Sequence, residues 1–247
     1  VYGCNGVIMD KKYFESLPAD IQKATLEAAD FAGRAISEQQ ADKDAVAWQE
    51  LEDEGKTIVQ LMNAAGYDIA TLGNHEFDYG MARALATVEE AKFPYVSCNF
   101  YHEKNGVAGD PVLESYKVFD MNGTKVAFVG ITTPESFTKS TPAYFQDANG
   151  KYIYGIAAGK DGAALYAAVQ KAIDAAAKEA DYVIALGHLG DDPSSQPWTS
   201  EEVIAHTTGL DAFIDGHSHS TVEMKQVKDK AGNTVVLTQT GSYFAAI

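Results

Sequence analysis

The chain has 247 residues, 46% of them hydrophobic, and a formal net charge of −16, so it has ample apolar content for a sizeable core, in one large domain or in one domain with an appendage. Both parts of the chain share the acidity: 12 acidic against 6 basic residues through Lys56, and 23 against 13 beyond it. That balance excludes nucleic-acid binding by phosphate neutralisation, and it means an anionic substrate would need bound metal to supply positive charge.

In chain order, residues 1–56 read differently from the rest. Ser16 is placed to N-cap a helix with Pro18 in its first turn. Ile21, Ala24, Ala28, Phe31 and Ala35 then step by three and four, which makes one apolar stripe. Ser37-Glu-Gln-Gln40 has the pattern of a capping box that restarts a helix, with Trp48 and Leu51 continuing a buried face. The stretch Met9 to Ala29, with its Lys11-Lys12 and Ser16-Leu-Pro18, resembles the C-terminal tail of the solute-binding proteins of TRAP transporters, without their ligand-binding portion. The expectation for this segment is a strand and helical appendage.

From Thr57 onward, strands and helices alternate. Ile58, Leu61, Met62 and Ala65 are expected to line one face of a short helix closed by Gly66. Asp68 to Gly73 reads as a strand, Met81 to Ala91 as a helix and Pro94 to Cys98 as a strand. Asn122-Gly123 is a hairpin turn, and Lys230 to Asn233 turns a second hairpin. Between them come a helix over Asp161 to Ala180, a strand over Tyr182 to Leu186, a helix over Ser200 to His206 and a strand over Asp211 to Asp215. The expected fold class is α/β, with helices outside two sheets.

Three apolar strands end in polar residues of one chemical kind. Thr71-Leu-Gly-Asn-His-Glu-Phe-Asp78 delivers Asn74, His75 and Asp78; Tyr182-Val-Ile-Ala-Leu-Gly-His188 delivers His188; and Leu210 to His219 delivers His217 and His219. Four of the six histidines sit at these ends. Residues i and i+2 of an extended stretch share a face, so His217 and His219 can enter one pocket. Imidazoles with a carboxamide oxygen suit Zn, Mn, Fe or Co better than Ca. Asp78, three residues beyond His75, is placed to orient that imidazole.

Gly73-Asn-His-Glu-Phe-Asp78, Gly187-His188 and Gly216-His-Ser-His219, in this order, resemble the calcineurin-like metallophosphoesterases, and within them the catalytic domain of bacterial 5'-nucleotidases and 2',3'-cyclic phosphodiesterases. The resemblance covers about residues 57–247 and includes Tyr116 to Pro134. It implies metal-dependent hydrolysis of phosphate esters, nucleotides first among them, by a layered α/β domain. It implies that Asn74, His188 and His217 hold one metal, that His219 holds a second, and that His75, held by Asp78, stabilises charge on the phosphate or leaving oxygen. Asn99, after a strand end, is expected to line the substrate site. Both resemblances place the protein outside the cytoplasm: periplasmic, secreted or surface-attached.

The family also opens with a strand ending in Asp-x-His, followed by a metal-bridging Gly-Asp, and neither occurs before Thr57. Asp10 follows an apolar run, but Lys11 and Lys12 come after it. One site therefore keeps three protein ligands and the other keeps His219 alone. The expectation is one tightly bound divalent transition metal (Mn, Zn, Co or Fe) rather than two, and reduced activity. The alternative is a catalytically silent chimeric or truncated domain, or a solute-receptor module.

The remaining signals are structural. Cys4 and Cys98 have no zinc-type spacing, no signal peptide is visible, and no apolar run approaches the ~18 residues of a membrane span. His102 is expected in a solvated loop, His206 at a helix end where a cation suits the dipole, and Glu76 in a turn-capping role. Nothing in the sequence fixes an oligomeric state.

Overall fold

The longest apolar runs become the middle of one sheet, because strands covered on both faces need side chains that no water reaches. The computed structural model describes residues 58–242, together with Pro18 and Lys23. The chain divides into two compact units, Val1–Thr57 and Ile58–Ile247, and all that follows concerns the second. The helical stripe from Ile21 to Ala35 and Asp10 lie outside the described residues.

Residues 58–65 form helix α1. Then come strand β1 (Ala70–Thr71), a 3-10 turn at His75–Phe77, helix α2 (Met81–Glu90) and strands β2 (Tyr95–Val96), β3 (Phe100–Lys104), β4 (Val107–Pro111), β5 (Tyr116–Met121) and β6 (Thr124–Thr132). Helix α3 (Ser136–Lys139), strand β7 (Tyr154–Ile156), helix α4 (Ala163–Ala176), strand β8 (Tyr182–His188), helix α5 (Ser200–His206) and strands β9 (Ala212–Asp215), β10 (Thr221–Lys228) and β11 (Thr234–Thr240) complete the order.

Six strands form one sheet in the order β10-β11-β9-β8-β6-β5. β6, β8, β9 and β11 run parallel, and β5 and β10 pair antiparallel at the edges. The register sets Thr132 beside His188. Leu165, Val169 and Ile173 of α4 and Val203 and Ile204 of α5 share a buried core with Val129, Ala185, Phe213 and Leu237 of the sheet. The short parallel pair β1-β2 packs on β6 and β8. A Cβ at Gly130 would fall 2.1 Å from the Val96 carbonyl oxygen, so this close approach requires glycine. A second core is aromatic and joins Phe77, Phe93, Tyr95, Phe100 and Phe145 to Leu72 and Ile156. The layered α/β fold expected from the sequence is the one observed.

Three details differ from expectation. In α1 the buried residue is Val59, while Ile58 and Leu61 are 56% and 59% exposed, so the inward face is rotated by about one residue from the expected stripe. Phe100 to Gly106 is not a loop: Asn105 and Gly106, both at positive φ, turn a β3–β4 hairpin, and the His102 ring packs 5.1 Å from that of Tyr154. The α4 helix starts two residues after Asp161, with Gly162 at positive φ as its N-cap. His206 is structural as expected: its Nδ1–H donates to the Glu202 carbonyl at 2.8 Å, and its ring stacks on Tyr166.

Candidate active site

Parallel strands leave their carboxyl ends on one edge, and loops from those ends can meet above it. Beyond β1 the chain turns at Gly73, and Asn74 opens the 3-10 turn His75–Phe77. The Gly73 amide donates to Glu76 Oε2 at 2.7 Å, so Glu76 holds the turn. Burial pushes the Glu76 carboxyl above its ordinary range. Phe77 is fully buried in the aromatic core and anchors the loop. Asn74 is buried as well, and its Oδ1 lies 3.0 Å from His217 Nδ1 and 3.2 Å from His188 Nε2. The two imidazole rings meet edge-to-face at 5.0 Å. Asn74, His188 and His217 are thus brought together from three strand ends.

The pocket around His188 is shaped by glycine. A Cβ at position 73 would stand 2.8 Å from His188 Nε2, and one at position 216 would stand 3.3 Å from Nδ1. Beyond His188, the Leu189 amide donates to Asp215 Oδ1 at 2.9 Å. Burial, reinforced by His217, His75 and His219 nearby, pulls the His188 pKa from its ordinary 6.5 down to about 4. The ring is therefore neutral at physiological pH, which is the form that donates to a metal.

The site fits a divalent transition metal. Two imidazole nitrogens each lie within 3.2 Å of one carboxamide oxygen. Ligands at ~2.1 Å in a tetrahedral site stand about 3.4 Å apart, and the two separations from Asn74 Oδ1 are close to that. Among the described residues no three His, Cys, Asp or Glu side chains converge at metal-holding spacing, and the Asn74 carboxamide completes this set. In metal-free protein, the depressed His188 pKa also predicts acid sensitivity. The unfolded chain takes up the proton near 6.5 and the folded chain only near 4, so the stabilisation is complete above 6.5 and is lost as pH falls towards 4. Thermal melts in chelator over that window should show a falling Tm, and His188→Gln should flatten the slope.

The other expected residues take distinct places. His75 Nδ1–H donates to Asp78 Oδ2 at 2.6 Å, and the His75 side chain is 73% exposed. His219 is exposed in a loop where both His217 and His219 have positive φ. Ser218 and Ser220 hydroxyls donate to Asp191 Oδ1 at 2.5 and 2.7 Å, and the Ser220 amide donates to Gln239 Oε1 at 3.2 Å. The two hydroxyl bonds, the Ser218 bond foremost, hold the Asp191 carboxyl below its ordinary range. Asn99 is engaged inside the protein: its Nδ2 donates to the Thr132 carbonyl at 2.7 Å and its Oδ1 accepts from the Thr132 amide at 2.9 Å. It fixes the end of β6.

Glu135 went unnoticed in the sequence. Its Oε2 lies 2.7 Å from His217 Nε2 and accepts from Ser195 Oγ at 2.8 Å. The signal that could have found it was position: it stands three residues beyond the end of β6, where neighbouring strands also deliver polar side chains.

Residues 11–237 match the family described as bacterial capsule synthesis protein PGA_cap. The chain is 31% identical over 171 residues to the trifunctional nucleotide phosphoesterase protein YfkN of Bacillus subtilis, covering 66% of this chain and 11% of that protein. It is 30% identical over 190 residues to the 2',3'-cyclic-nucleotide 2'-phosphodiesterase/3'-nucleotidase of Haemophilus influenzae, covering 70% of this chain and 26% of that one. It therefore spans about a tenth to a quarter of the length of these relatives. Among solved structures, the calcineurin-like phosphoesterase YfkN from Bacillus subtilis superposes with a TM-score of 0.59 at 25% identity, over 79% of this chain and 62% of that one.

Proposed function

Because the chain belongs to the PGA_cap family of bacterial capsule synthesis proteins and carries a calcineurin-like phosphoesterase domain of the 5'-nucleotidase type, we propose that it hydrolyses phosphate esters, with nucleotides as the substrate class, in an extracytoplasmic compartment. The observation that carries this reading is the convergence of Asn74 Oδ1 with His188 Nε2 and His217 Nδ1. Those three residues would hold one divalent transition metal: Mn, Zn, Co or Fe. Such an ion, when bound, polarises a phosphoryl oxygen and lowers the pKa of water.

The chain's own groups do the rest. Asp78 accepts the His75 Nδ1 proton, which fixes the ring, and in the imidazolium that this carboxylate steadies, Nε2–H would donate to the phosphate or leaving oxygen. Exposure of His75 keeps that nitrogen accessible to a substrate arriving from solvent. Glycines at 73 and 216 leave the space that the His188 ring occupies. His219 remains the residue proposed for a second, weaker metal. Among the described residues no helix is long and apolar enough to cross a membrane.

The test is hydrolysis of AMP and of p-nitrophenyl phosphate with added Mn or Co, alongside elemental analysis after dialysis. We expect one equivalent of transition metal per chain, and His217→Ala should lose both metal and turnover. Turnover indifferent to His217→Ala and to chelator would sink the reading. A second reading, a catalytically silent domain, is motivated by the lack of Asp-x-His before Thr57. It predicts no turnover at any metal concentration.

A further inference from the structure

We propose that Glu135 is a positioning residue for His217: it fixes the tautomer and aim of that imidazole, so that Nδ1 presents its lone pair to a cation held with Asn74 and His188. The inference rests on the metal reading above and adds a residue to it.

The argument starts from hydrogen-bond roles. A carboxylate only accepts, so the 2.7 Å contact between Glu135 Oε2 and His217 Nε2 puts the ring proton on Nε2. A neutral imidazole protonated there has a lone pair at Nδ1. That lone pair faces Asn74 Oδ1 at 3.0 Å, which is itself an acceptor. His188 Nε2 stands 3.2 Å from the same oxygen. Two acceptors turned on one another, as His217 Nδ1 and Asn74 Oδ1 are, repel unless a cation lies between them. Nδ1 and Nε2 project from different sides of the ring, so Glu135 does not reach a cation at Nδ1 and acts through the imidazole.

Glu135 is itself held from two sides. Ser195 Oγ donates to its Oε2 at 2.8 Å, from the turn Pro193–Ser195. Its own amide donates to Thr133 Oγ1 at 3.1 Å, and the Ser136 hydroxyl donates to the Thr133 carbonyl at 2.8 Å. The strand end that brings Glu135 to the site is thus locked, and both Glu135 and His217 side chains are nearly covered, at 12% and 10% exposed. The chemistry also calls for it. All three proposed ligands are neutral, and a carboxylate bonded to the far nitrogen of one of them supplies negative charge to a dication through the ring.

Titration of Co2+ into the metal-free full chain tests this, read by calorimetry and by visible absorption, with 15N NMR of the His217 ring. Glu135→Ala is expected to weaken Co2+ binding by ~10–100-fold and to abolish the Nε2–H tautomer preference. Glu135→Gln, whose amide oxygen still accepts from Nε2–H, should keep the tautomer and recover part of the affinity. Ser195→Ala should weaken binding less than Glu135→Ala. Wild-type affinity and wild-type tautomer in Glu135→Ala overturn the proposal, while a wild-type chain that binds no Co2+ overturns the metal reading itself. Should Glu135→Ala fail to fold, a Glu135→Gln variant without the Nε2–H signal overturns the proposal, and one retaining it with intermediate affinity supports it.

Discussion

His75→Ala is expected to lower turnover of p-nitrophenyl phosphate by ~10²–10⁴-fold while leaving the metal content of the protein unchanged. The two halves of that statement come from one geometry. His75 bonds to Asp78 and its side chain is mostly in solvent, whereas Asn74, one residue earlier, is buried against His188 and His217. The proposed function gives these neighbouring residues different tasks, His75 to charge developing on the substrate and Asn74 to the cation. The loss should fall on kcat more than on KM, since a contact strengthened in the transition state adds little to ground-state binding. Asp78→Asn should reduce turnover by less, because an amide oxygen still accepts the Nδ1 proton but without the charge that steadies an imidazolium. The measurement is steady-state kinetics in saturating Mn, with metal counted by elemental analysis. A His75→Ala chain with wild-type kcat would remove His75 from the chemistry, and one that loses its metal would make it a ligand instead.

How far the sequence foretold this site depends on what each signal encodes. An apolar run followed by a glycine and a polar residue reports that a strand ends at a pocket, which is how Asn74, His188 and His217 could be picked out although 114 and 143 positions separate the latter two from Asn74. Periodicity cannot report which strand ends meet. That is fixed by parallel register, with Thr132 set beside His188, and register is what brings the β6 loop and Glu135 over His217. Glu135 lies in the short α3 region where no ligand-like spacing marks it, so only the third dimension identifies it. The β3–β4 hairpin escaped for another reason. Its Asn105-Gly106 turn is a standard signal, but β4 is exposed along its whole length and its residues show no apolar alternation. In α1 the helix was legible and its orientation was not. Apolar residues at 58, 59, 61 and 62 define two overlapping stripes, and tertiary packing chose the one containing Val59.

Phe77→Ala should be among the most destabilising single changes in the described residues, at ~3–5 kcal/mol. Phe77 is fully buried, with ring centroids 5.5 Å from Phe100 and 5.0 Å from Phe145. Removing it opens a cavity between the second core and the turn that carries Asn74, His75 and Asp78. At ~2–4 °C per kcal/mol for a domain of this size, Tm should fall by roughly 6–20 °C. Phe77→Leu keeps most of the volume and should cost less than about 1.5 kcal/mol. The functional consequence follows from position. Phe77 is the plug of a turn that the Gly73–Glu76 and His75–Asp78 hydrogen bonds also hold. With the plug gone, the backbone that aims Asn74 at the two imidazoles loses its anchor, and metal affinity should fall at temperatures well below the melt. Thermal unfolding and Co2+ titration on the same preparation separate the two effects. A Phe77→Ala chain that melts like the wild type would show that the aromatic core does not hold this loop, while one that melts early yet binds Co2+ as the wild type does would show that the hydrogen bonds alone aim Asn74.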